Sequence, residues 1–149
     1  MPAFITFGRV LFALLFIYTG ATKLFDIQNT TTIIATKVTI PALLTPYTTQ
    51  IETTTGMTTP QLLAIAVGAF EIIAGLMIAL NFGTRFFAIL LIFFVAVTTF
   101  YFHDFWNQPS PENGKVLVEA LKNLSIIGAL FMIAGYGRSS READPAYEV

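Results

Sequence analysis

Four long apolar stretches punctuate the chain: Phe4 to Thr22, Gln61 to Leu80, Arg85 to Phe102 and Val116 to Tyr136. A hydrocarbon core of ~30 Å is crossed by about 20 helical residues, so each stretch is long enough to span it. Inside a bilayer no water satisfies backbone N–H and C=O groups, which makes these spans helices even where Phe, Ile and Val crowd the third. The first has no charged segment ahead of its apolar run and no small-residue cleavage pattern. It therefore reads as a mature helix and not as a signal peptide. The pattern predicts an all-α integral membrane four-helix bundle, a single membrane domain over residues 1–149.

The connections differ in length and character. Asn81 to Thr84, with Gly83, predicts a tight turn that makes spans two and three a helical hairpin. Asn107 to Lys115 is a short polar loop with Pro109, Pro111 and an Asn113-Gly114 turn signal. Residues 24–60 form a long Thr-rich segment that reads as an extramembrane, periplasmic loop. Within it Ile33, Ile34, Val38, Ile40, Leu43 and Leu44 stand among polar neighbours, a pattern suited to a short amphipathic helix lying at the membrane interface. Residues 139–149 are a polar tail.

Composition agrees with lipid as the solvent. Of 149 residues 55% are hydrophobic and 11% charged, where a soluble domain carries about a quarter charged residues. The net charge of −1 offers no basic surface for nucleic acid. Cysteine is absent and His103 is the single histidine. The chain alone can build no disulfide, thiolate nucleophile or iron–sulfur cluster, and no bis-histidine haem or His-rich zinc site. The expectation is no metal site and no intrinsic cofactor, with any redox metal carried by a partner.

Alternating spans put Arg9, Arg85, Arg138 and Arg141 on one side and Lys23, Lys37, Lys115 and Lys122 on the other. The positive charges balance. Discounting Lys23 and Lys122 as paired residues at helix ends places both termini in the cytoplasm.

Polar residues within the spans carry the chemistry. Glu71 lies near the middle of the second span, where an unpaired carboxylate costs several kcal/mol, so it is paired, protonated or hydrated. Ala64, Gly68, Gly75 and Ala79 share its face at the spacing that lets another helix approach closely. The first span has a matching stripe of Arg9, Ala13, Phe16, Gly20 and Lys23. Folding the spans up and down gathers Lys23, Glu71, His103, Lys122 and Asn123 into a candidate intramembrane site, and Arg9, Asn81, Arg85 and Arg138 into a cytoplasmic-side cluster. Plainer readings compete with both. Glu71 with Lys23 or Lys122 is also the pattern of an ion pair fixing helix register. His103 with Trp106 suits an interfacial anchor, and Arg85 and Arg138 suit snorkelling topology residues.

The order of short motifs resembles the DoxX family. An Arg-containing first helix ends in Gly20-x-x-Lys23; Pro41 precedes a second helix with Glu71-x-x-x-Gly75; Gly83-x-Arg85 follows. His103 with Phe105-Trp106, then Glu119-x-x-Lys122-Asn123-Leu124, continue the likeness. The resemblance implies a multi-pass protein of the bacterial cytoplasmic membrane, with both termini inside, linked to quinone-reactive respiratory complexes and redox homeostasis. The segment from about Thr45 to Thr59 is an insertion relative to the shorter family pattern, suited to a docking surface.

Three functions follow. The first is an accessory or assembly subunit of a redox-related membrane complex, with partner subunits in the bilayer or a homo-oligomer. The second is a quinone-handling component in which Glu71, Lys23, His103 and Lys122 hold a head group, with quinone or a bound lipid as ligand. The third is a small transporter, for which no internal repeat or broken helix speaks.

Overall fold

A computed structural model describes residues 2–136, and every described element is helical. In chain order these are α1 (Pro2–Phe25), α2 (Ile27–Lys37), α3 (Thr45–Thr55), α4 (Thr59–Ala79), α5 (Thr84–Phe102) and α6 (Glu112–Tyr136), with 3₁₀ turns at Ala42–Leu44 and Phe105–Asn107. Four of them, α1, α4, α5 and α6, are long and apolar enough to cross a membrane. Arg138, Arg141 and the tail over residues 139–149 lie outside the described residues.

The chain forms two compact units. One comprises residues 14–75. Here the face expected from the sequence is the buried one: Phe16 and Gly20 on α1, and Ala64, Gly68, Glu71 and Gly75 on α4. The helices touch through their glycines. A Cβ built on Gly20 would lie 2.6 Å from the Gly68 carbonyl oxygen, and one on Gly68 3.0 Å from that of Gly20. A side chain at either position would force its neighbours to shift, as in small-residue packing of membrane helices.

The same unit holds the Thr-rich segment, which is more helical than its composition suggests. Instead of a loop with one short helix it carries α2, a 3₁₀ turn and α3. Threonine is a weak helix former because its hydroxyl competes with the backbone. Here the hydroxyls bond back along their own helices: Thr32 to the Gln28 carbonyl, Thr36 to Ile33, Thr49 to Thr45 and Thr54 to Gln50, at 2.8–3.0 Å. The Asp26 carboxylate caps α2 by accepting from the Asn29 amide at 3.3 Å. Gly56, at φ +70°, ends α3 in the left-handed conformation that glycine adopts without penalty. Glu52 then accepts from both the amide and the hydroxyl of Thr59 at 2.6 Å, placing a negative charge on the first turn of α4.

The other unit comprises the start of the chain to residue 13 and residues from 76 onward. Its central pairing is α5 on α6, with the Phe105–Asn107 turn against α6. Thr84, Ala88, Leu91 and Val95 form the buried face of α5, and Leu130 and Ala134 that of α6. Asn81 and Gly83, at φ 58° and 57°, make the turn from α4 into α5. Asparagine and glycine are the residues that enter this left-handed region most readily.

Candidate functional site

The position of Glu71 on the glycine face of α4 brings it directly to α1. Lys23 Nζ stands 2.7 Å from Glu71 Oε2, with the Glu71 side chain 5% exposed and that of Lys23 31% exposed. Lys23 also donates to the Thr19 carbonyl at 3.4 Å. Of the two lysines the sequence offered, Lys23 is the partner. The carboxylate is buried and charge-compensated, and the Gly20–Gly68 contact lies one helical turn away on both helices.

The remaining members of the expected intramembrane group, His103, Lys122 and Asn123, belong to the other unit. Asn123 Nδ2 donates to Thr99 Oγ1 at 3.0 Å, and Thr99 in turn donates to the Val95 carbonyl at 2.6 Å, tying α6 to α5. Lys122 pairs with Glu119 on its own helix at 2.7 Å, both side chains more than half exposed. His103 caps α5, its backbone N–H bonding to the Thr99 carbonyl. Trp106, three residues further on, lies 5.5 Å from the ring of Phe100 and 5.0 Å from that of Phe105, centroid to centroid. Exposed Trp beside Phe suits the head-group depth of a membrane. Among the described residues no group of three or more His, Cys, Asp or Glu is arranged to hold a metal ion.

The second expected cluster, Arg9, Asn81, Arg85 and Arg138, divides. Arg9 and Asn81 line one cavity of about 310 Å³, together with Thr84 and Tyr136. Arg85 is exposed and does not line it. Ile5, Phe12, Met132 and Ile133 supply most of the apolar wall, and among the described residues no carboxylate lines the cavity. The Thr84 hydroxyl donates to Asn81 Oδ1 at 3.1 Å. Arg9 Nε is buried and has no hydrogen-bond partner among the described residues. A buried donor left unmatched costs about 1–3 kcal/mol.

Four participants were not evident from the sequence. Thr84 adjoins the conspicuous Arg85, and Tyr136 ends a span, so neither stood out. Glu52 and Thr59 lie on opposite sides of a helix break, and no periodicity links them.

The arrangement of these spans and polar residues has known relatives. The DoxX family model matches residues 4–104. The chain belongs to the DoxX family. That match takes in α1 to α5, with the Lys23–Glu71 pair and His103, and stops short of α6. This DoxX protein is also similar to inner membrane protein YphA of Escherichia coli (strain K12), at 27% identity over 143 residues, 96% of this chain and 89% of the relative. No solved structure matches at a significant level.

Proposed function

We propose that this DoxX-family membrane protein is an accessory or assembly subunit of a redox- or respiration-related complex in the bacterial inner membrane, both termini facing the cytoplasm. The observation that carries the reading is the Lys23–Glu71 pair. The buried carboxylate is engaged at 2.7 Å by a lysine beside a close glycine contact, which is how a polar group fixes the register of a scaffold. A sequence with one histidine and no cysteine adds that redox centres would come from partner subunits. The inner-membrane placement follows the name of the relative. Affinity purification of the tagged protein in mild detergent tests the reading. Stoichiometric co-purifying subunits are expected, and a lone species of about the chain's own 16.4 kDa plus detergent overturns it.

A second reading rests on Lys23. Its side chain is 31% exposed, and its ammonium has a third donor beyond Glu71 and the Thr19 carbonyl. A quinone carbonyl could accept from it, with Glu71 as the proton-holding neighbour. Glu71→Gln would then abolish quinone binding in a protein that still folds. Unchanged binding, or loss of fold without any specific loss of binding, rejects this second reading.

A further inference from the structure

The cavity around Arg9 has a composition and a place in the fold that point to one class of occupant. Its polar atoms come from helix ends. Asn81 lies in the α4–α5 turn and Thr84 opens α5, Tyr136 is the last described residue of α6, and Arg9 stands about two turns from the start of α1. In a membrane protein these ends lie at the head-group layer. Phe82 and Phe86, beside that turn, are 70% and 61% exposed, as lipid-facing rings are.

The charge has one sign. Arg9 contributes a guanidinium that stays protonated, and among the described residues no carboxylate lines the cavity and the buried Arg9 Nε has no partner. An anion with oxygens in a fork-like array fits such a donor. The walls are apolar on α1 and α6, through Ile5, Phe12, Met132 and Ile133. Gly8 also lines the cavity, and a Cβ built on it would meet nothing within 4 Å, so room is left on the α1 side. A small free anion has no use for this wall, whereas a charged head on an apolar tail does.

We propose that the cavity binds an anionic phospholipid, its phosphate held by Arg9 with Asn81 and Thr84 alongside, its upper chain against α1 and α6. The site belongs to one unit of the fold and does not depend on the accessory-subunit reading.

Native mass spectrometry of the full chain, delipidated in detergent and titrated with phosphatidylglycerol, phosphatidylcholine or inorganic phosphate, tests it. The wild type should bind phosphatidylglycerol at least about tenfold more tightly than phosphatidylcholine, the contribution expected of one charge-assisted contact. Arg9→Gln should abolish that preference, and Gly8→Leu, which keeps the charge but fills the space, should weaken phosphatidylglycerol binding. Arg85→Gln, which removes an exposed arginine outside the cavity, should bind like the wild type. Equal binding by wild type and Gly8→Leu overturns the proposal, as does equal loss in Arg85→Gln and Arg9→Gln. Displacement of the lipid by inorganic phosphate at comparable concentration overturns it too, since the site would then take the free anion. Should Arg9→Gln fail to fold, the Gly8→Leu and phosphate arms decide.

Discussion

Lys23 and Glu71 meet at 2.7 Å with unequal burial, the carboxylate 5% and the lysine side chain 31% exposed. That inequality sets the sign of a prediction. Lys23→Met leaves an ionised carboxylate buried without its partner, a change that costs about 3–5 kcal/mol for buried pairs. Glu71→Gln leaves a cation on a long stem that reaches toward more polar surroundings, so it costs about 1–2 kcal/mol. Glu71→Leu combined with Lys23→Met should recover most of the loss. Unfolding in mixed micelles by SDS titration measures the ranking, and equal costs for the two single variants would contradict it.

The glycines predict a second ranking. A Cβ at Gly20 would lie 2.6 Å from a backbone oxygen of α4, while one at Gly68 meets the Leu24 side chain at 2.8 Å and a backbone oxygen of α1 only at 3.0 Å. The nearest obstacle is rigid in the first case and can rotate in the second. Gly20→Ala should therefore destabilise by about 1–3 kcal/mol, and Gly68→Ala by less. Gly128 on α6 has nothing within 4 Å of its Cβ position, so Gly128→Ala should be neutral or slightly stabilising. Thermal melting in one detergent compares all three.

Glu52 predicts a response to pH. The Thr59 hydroxyl and then the Thr59 amide, both donating to its carboxylate, hold its pKa below the ordinary value of 4.5. A lowered folded-state pKa means that the interaction stabilises at all pH values above the unfolded value. The contribution is lost as pH falls from about there through the lower folded value. The protection factor of the Thr59 amide, taken against intrinsic exchange at each pH, should drop in acid below pH 4.5. Glu52→Gln should remove most of that drop, and a drop of the same size in the variant would refute the cap.

The four spans were legible because burial in lipid imposes length and apolarity with few exceptions, and the packing faces were legible because helical period aligns small residues. Ala64, Gly68, Glu71 and Gly75 are buried together for that reason. The choice of Lys23 over Lys122 was not, since it depends on which helix approaches α4, and periodicity within α4 says nothing of that. Helices α2 and α3 were hidden by threonine, whose weak propensity is offset here by hydroxyls returned to the carbonyls three or four residues back. Arg85 and Thr84 show the limit most sharply. They are adjacent in sequence, and the left-handed residues Asn81 and Gly83 set the helix phase that buries threonine and exposes arginine.

Asn123 offers the last test, because its bond to Thr99 at 3.0 Å joins two helices through side chains alone. Hydrogen bonds between membrane helices contribute about 0.6 kcal/mol on average and seldom more than about 1.7 kcal/mol. Thr99 also donates to the Val95 carbonyl, so Thr99→Val removes a bond within α5 as well as the acceptor for Asn123. A double-mutant cycle of Asn123→Leu and Thr99→Val separates the two contributions. A coupling energy between about 0.5 and 1.7 kcal/mol is expected if the bond holds α5 and α6 in register. Coupling indistinguishable from zero would mean that the two side chains find other partners in the membrane, and that α5 and α6 stay together through Leu91, Val95, Leu130 and Ala134.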